Sequence, residues 1–264
     1  MNDPSQKNII GIVGGMGPVA GVDLASKVIS QTVASTDQDH LPLMLYSFPE
    51  EIGDRTEYIL GHMKEAVPET TNPGLAIARI LLKMEQAGVT VAGMACNSAH
   101  APGIFDRITS ELEANRSRIS LLHMVREVGW HILYQHAGIR KAGIVGTTGT
   151  RTSKLYNLLE EFGMEVVDVT DEEQIRLQSA IYDPKFGIKS SSDGTSSKAV
   201  EILTETCRSL RKRGTELIVF GCTEFPLAYQ EPEIEGLPVV DSSMVLARAL
   251  VRACDPEKLR PARQ

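Results

Sequence analysis

Residues 88–100 read GVTVAGMACNSAH, and residues 214–227 read GTELIVFGCTEFPL. Each stretch is a glycine, an apolar run of strand length, then a cysteine followed by small polar residues able to open a helix. The match extends outward in both directions. Upstream lie GIVGGMG at 11–17 and AGIVGTTGT at 142–150, each an apolar run entering a glycine-rich turn. Downstream lie ISLLHMVREV at 119–128 and LPVVDSSMVLARAL at 237–250, each a short strand entering a helical period. The chain therefore states one pattern twice at similar length, which reads as two homologous α/β lobes.

The rest of the sequence fills in that frame. Short apolar runs predict strands over 8–13, 41–47, 89–95, 119–123, 142–145, 165–169, 216–220 and 238–241, with helical periods between them. Proline at a first turn marks helices at 18–32 and 73–86, and Gly88 and Gly214 fall where a left-handed C-terminal cap is expected. The Ser/Gly-rich stretch 189–197 reads as a loop.

Composition bounds the function. With 264 residues, 42% hydrophobic and 23% charged, the chain can bury a core without disulfides or metal. No apolar run approaches the ~18 residues of a membrane span. The polar start MNDPSQKN runs directly into IIGIVGG without the pattern of a cleaved leader, giving the expectation of a cytoplasmic protein. Net charge is −7, and the densest basic cluster, Arg208, Arg211, Lys212 and Arg213, reads as the exposed last turn of a helix. No nucleic-acid footprint follows. The six histidines show no ligand spacing, so no metal is expected. His100, four residues after Cys96, reads as a capping or supporting group.

Four cysteines separate on this map. Cys207 and Cys254 fall within helical stretches and read as packing. Cys96 and Cys222 both follow a strand at its carboxyl end, the edge where open α/β sheets bind ligands. If the lobes face one another, a ligand between them has a thiol on each side. One sulfur can then remove a proton while the other delivers one from the opposite face, inverting a stereocentre. Asn97, Ser98, Thr223 and Glu224 flank the cysteines, and Thr147, Thr148 and Thr150 line the second glycine turn. These hydroxyls and amides suit a carboxylate and the charge that develops on it. Helix capping is the alternative use of Asn97, Ser98 and Thr223. Gly15-Met16-Gly17-Pro18-Val19-Ala20 formally fits a dinucleotide fingerprint, but Asp37 and Asp39 precede the next strand, and TTGT in the second copy lacks the pattern.

The motifs GGMGP, DRTEYILG, ACNSAH, GTTGT and GCTEFPL, in this order, resemble the cofactor-independent aspartate/glutamate racemase superfamily, in particular its aspartate branch. The resemblance covers about residues 8–250. It implies two three-layer α/β/α lobes with parallel sheets, related by a pseudo-twofold, with the active site in the cleft and no cofactor. The expected division is 1–124 with a return segment at 237–264, and 125–236. Cys96 and Cys222 become the implied acid/base pair. Met16, Asn97, Ser98, Thr147, Thr150, Thr223 and Glu224 enter the implied substrate site. Arg55, flanked by Asp54 and Thr56, matches the cation for a side-chain carboxylate. Lys189 matches a second, with Lys185 as its rival. The implied substrate is a small dicarboxylic amino acid, aspartate before glutamate or a broader range, and the implied assembly is a homodimer. Two other functions stay open: a maleate isomerase or decarboxylase type of relative, and a carboxylate- or nucleotide-binding module built on the Gly15 turn.

Overall fold

The computed structural model describes residues 8–64, 68–191 and 196–261. In the first lobe, β1 (Ile10–Val13), β2 (Leu43–Tyr46), β3 (Val91–Met94) and β4 (Ser120–Leu121) form a parallel sheet in the order β2-β1-β3-β4. The second sheet repeats that order. Its strands are β5 (Lys141–Gly146), β6 (Glu165–Val167), β7 (Leu217–Gly221), β8 (Glu233–Ile234) and β9 (Leu237–Asp241), arranged β6-β5-β7-β9-β8. All its pairings are parallel except that of β8, a two-residue strand the sequence did not signal. Strands β1, β3 and β7 are buried at every position, which explains their unbroken apolar runs: each is covered on both faces.

The helices begin where local chemistry says they should. In α1 (Pro18–Gln31) and α3 (Pro73–Gln86) proline opens the first turn. Asn72 caps α3 through Gly74 N–H, and Asp54 caps α2 (Arg55–His62) through Glu57 N–H. Thr170 and Glu173 form a reciprocal capping box at the start of α7 (Asp171–Tyr182). Gly88 and Gly214 have φ of 98° and 87°, the left-handed caps expected of them. Of the predicted 189–197 loop, a 3-10 turn occupies Ile188–Ser190, residues 192–195 lie outside the described residues, and α8 (Ser197–Lys212) follows.

Two helices cross between lobes. Helix α5 (Met124–Gln135) follows β4 of the first sheet, yet Val125, Val128 and Ile132 pack with Ile144, Val219 and Val240 of the second. Helix α10 (Ser242–Cys254) follows β9 of the second sheet, yet Leu246, Leu250 and Val251 pack with Ile10, Ile12 and Leu24 of the first lobe. Each sheet is thus sandwiched between its own helices and a helix handed over by the other copy. Leu237–Asp241 itself pairs with β7 in the second sheet, so it does not belong to the first lobe as expected. The return to that lobe begins at Ser242, because backbone pairing holds the strand while apolar packing draws only the helix across. The remaining first-lobe helix, α4 (Pro102–Ala114), packs with α3 through Ile104 and Ile108.

Candidate active site

The carboxyl ends of β1, β3, β5 and β7 converge on one cleft. Met16 follows β1; Cys96, Asn97 and Ser98 follow β3; Thr147 follows β5; Cys222, Thr223 and Glu224 follow β7. These residues line a single cavity with Arg55, Thr56, Tyr182, Lys189 and Gly221. The structure therefore brings both strand-end cysteines to one place, each buried. The cavity encloses only about 20 Å³, room for a water and not for an amino acid, so binding a ligand of that size requires the cleft to widen.

Opposite charges stand beside the two sulfurs. Arg55 opens α2, donating through Nη2 to Met16 O at 3.0 Å and through Nη1 to Gly53 O at 3.0 Å. Its Nε is buried without an acceptor. Burial opposes its charge, but the Cys96 sulfur and Asp54 more than compensate and hold the guanidinium firmly protonated. Cys222 has the contrary surroundings. Burial, then the Glu224 carboxylate, push its thiol up to about 12.

Glu224 is paired in turn. Lys189 Nζ lies 2.6 Å from its Oε1 and 5.6 Å from the Tyr182 ring centroid. Gly17 runs close beneath this pair: a Cβ there would stand 2.5 Å from Glu224 Oε1 and 2.8 Å from Lys189 Nζ, so a side chain at this position would have to displace the ion pair. Lys189 thus occupies the cavity, whereas Lys185 is exposed.

Hydroxyls complete the lining. Ser98 Oγ, Thr147 Oγ1 and Thr150 Oγ1 form a buried triangle with edges of 3.1, 3.1 and 3.3 Å, and Thr150 donates to Gly221 O. Thr223 Oγ1 donates to Ala95 O, joining the two cysteine turns directly. Thr147 also caps the short helix α6 (Thr148–Thr152) through Thr150 N–H, so capping and cavity lining coincide there. Asn97, Ser98 and Thr223 make no cap bond; their polar atoms are used across the cleft.

Three expected residues stand apart from the lining. Thr150 lies behind it, supporting Ser98. Asp54 is an exposed helix cap that faces Glu57 N–H. Thr148 donates to Gln178 instead of facing the cavity. His100 is wholly buried, its Nδ1 2.9 Å from Cys96 O. Burial, then His123, push it down to about 3, so it is neutral and supports the Cys96 turn. Cys207 sits in the second-lobe core, and burial raises its thiol strongly. Sequence reasoning missed Tyr182, although it stands in the stretch IYDPKFGIK that also holds Lys189. Gly17 carried a signal in GGMGP, but not its reason. Among the described residues no cluster could hold a metal ion, and no helix is long and apolar enough to cross a membrane.

Two doubly covered parallel sheets, each ending in a thiol at one shared cleft, define a family. The profile of the Asp/Glu/hydantoin racemase family matches residues 13–250; the chain belongs to it and is an isomerase, an amino-acid racemase of the Asp/Glu type. Particular relatives follow the same line. The aspartate racemase of Picrophilus torridus superimposes with a TM-score of 0.74 at 28% identity, over 94% of each chain. An aspartate racemase homologue from Pyrococcus horikoshii shares the fold, with a TM-score of 0.68 at 24% identity over 94% of this chain and 99% of that one. The broad specificity amino-acid racemase RacX of Bacillus subtilis is 26% identical over 250 residues, 92% of this chain and 96% of the relative.

Proposed function

We propose that this protein interconverts the L and D forms of an acidic amino acid, aspartate foremost, by proton transfer between Cys96 and Cys222 without a cofactor. The observation that carries the reading is the pair of thiols at matching strand ends of one cavity, with a guanidinium beside one and a carboxylate beside the other. In one direction, the Cys96 thiolate, with Arg55 as countercharge, takes the α-proton. The electron pair left on Cα delocalises into the carboxylate, where the Asn97 amide and the Ser98 hydroxyl supply donors as the negative charge grows. Cys222, which keeps its proton at neutral pH, delivers it to the opposite face. The product is the enantiomer, Cys96 is a thiol and Cys222 a thiolate, and the reverse reaction uses the same groups in exchanged roles.

Specificity rests on Arg55 and Lys189. The buried, unsatisfied Nε of Arg55 is a free donor for a carboxylate. Glu224 offsets Lys189, and this favours a second reading, a wider range that includes uncharged or cationic side chains, in keeping with the similarity to RacX. The expected cytoplasmic location suits four free thiols.

A panel of L-amino acids, incubated in deuterium oxide without pyridoxal phosphate and separated on a chiral column, tests reaction and range together. Deuterium should enter Cα of the product, fastest for aspartate. Cys96→Ala and Cys222→Ala should each abolish turnover, and Cys207→Ala should leave it nearly intact. Turnover without solvent exchange, or equal loss in Cys207→Ala, contradicts the two-thiol reading.

A further inference from the structure

Asn97 lines the cavity, but its amide is held from behind by groups that do not. The Tyr156 hydroxyl donates to Asn97 Oδ1 at 2.7 Å. Asn97 Nδ2 donates to Ser242 Oγ at 3.1 Å, and Ser242 Oγ donates to Phe220 O at 2.7 Å. Asn97, Tyr156 and Ser242 are 2%, 3% and 0% exposed. They come from distant parts of the chain. Asn97 follows Cys96, Tyr156 lies in the 3-10 helix Leu155–Phe162, Ser242 opens α10, and Phe220 is two residues before Cys222.

Proton bookkeeping gives this chain a direction. A carbonyl only accepts, so Ser242 must spend its proton on Phe220 and offer a lone pair to Asn97. The Asn97 amide must therefore turn Nδ2 to Ser242 and Oδ1 to Tyr156, whose phenolic proton fills the acceptor. A flipped amide would make Ser242 release Phe220 and would leave a buried group unsatisfied. Asn97 then has one N–H remaining, and its orientation in the cavity is fixed. Tyr156 also touches the other thiol's turn: a Cβ at Gly221 would stand 3.0 Å from Tyr156 Cε2.

We propose that Tyr156 and Ser242 are positioning residues that lock the Asn97 amide, so that it presents a single N–H to the substrate carboxylate, and tie the Cys96 turn to the strand that carries Cys222. This rests on the racemase reading for its catalytic consequence but not for the lock itself. Burial keeps the Tyr156 phenol protonated far above neutral pH, so the donor is present at any working pH.

Two measurements separate lock from reaction. In the first, the Asn97 side-chain amide protons, assigned by their loss in Asn97→Ala, are followed by solvent exchange in the NMR spectrum. The proton bonded to Ser242 should be protected in the native protein and exchange about tenfold faster or more in Tyr156→Phe, which keeps the ring. Lack of protection at both protons, or protection unchanged in Tyr156→Phe, overturns the proposal whether or not the protein racemises anything. In the second, kcat/KM is measured in both directions for a double-mutant cycle. Tyr156→Phe and Ser242→Ala should each lower it about tenfold or more, carried mainly by kcat, with Tm lowered by only a few degrees. In an Asn97→Ala background Tyr156→Phe should have little further effect. Additive losses, or a lowered Tm with unchanged kcat/KM, would assign Tyr156 to packing alone.

Discussion

Glu224 acts on two partners in the cleft at once. Its carboxylate helps hold the Cys222 thiol protonated and pairs with Lys189 at 2.6 Å. Glu224→Gln keeps shape and hydrogen bonding while removing the charge. Two effects should follow. Without a neighbouring anion the Cys222 pKa falls below about 12, so alkylation of Cys222, followed by mass spectrometry, should reach its midpoint at lower pH. Freed Lys189 should then favour acidic substrates, raising kcat/KM for aspartate relative to alanine by about tenfold, the worth of roughly 1.4 kcal/mol. An unchanged ratio would mean that Lys189 does not read the side chain.

At the scale of elements, the site depends on how firmly α2 is held, since Arg55 and Thr56 open it. Asn72 does much of this holding. Its Oδ1 accepts from Gly74 N at 2.9 Å, and its Nδ2 donates to Tyr58 of α2 at 2.8 Å, to Glu69 and to Gly103 O. Asn72→Ala removes a helix cap and leaves buried partners unsatisfied, so urea denaturation should show a loss of about 2–3 kcal/mol. Thr170→Ala, at an exposed capping box, should cost only about 1 kcal/mol. Equal losses would show that burial adds nothing to the cap. Both caps are local residue patterns, though the sequence reading marked the start of α3 by its proline alone. What Asn72 reaches beyond its own helix was not legible, because Tyr58 and Gly103 lie in other elements.

For the molecule as a whole, the interface between lobes is built from exchanged helices and buried polar groups. Lys27 of α1 bridges Asp23 and Asp241, each at 2.6 Å, and Asp241 caps the crossing helix α10. Acid should weaken the fold through its histidines. Burial first, then neighbouring positive or titratable groups, push His100 to about 3 and His123 and His131 to about 4. The unfolded chain takes up these protons near pH 6.5, so below that value it binds more protons than the folded one. Stability is therefore full above about pH 6.5 and declines as pH falls toward about 4, by at most about 1.4 kcal/mol per pH unit for each histidine. Thermal midpoints at about pH 7, 6 and 5 should descend in that order. A flat series would contradict the burial of these rings.

The sequence by itself determined the doubled lobe, the strand-end thiols, the glycine caps and the hydroxyl-rich turns. Each is a local pattern, fixed by backbone conformation or by the period of apolar residues. Tertiary structure alone decided that α5 and α10 cross to opposite lobes, since periodicity reports that a helix face is buried without saying against which sheet. It also put Lys189 in the cavity and Lys185 at the surface, set Asp54 outside the cavity and Thr150 behind it, and brought Tyr182 into the lining. The bonds from Asn97 to Tyr156 and Ser242 span 59 and 145 positions. Nothing along the chain marks such a partnership; it exists only once packing has desolvated those groups and left them one another to bond.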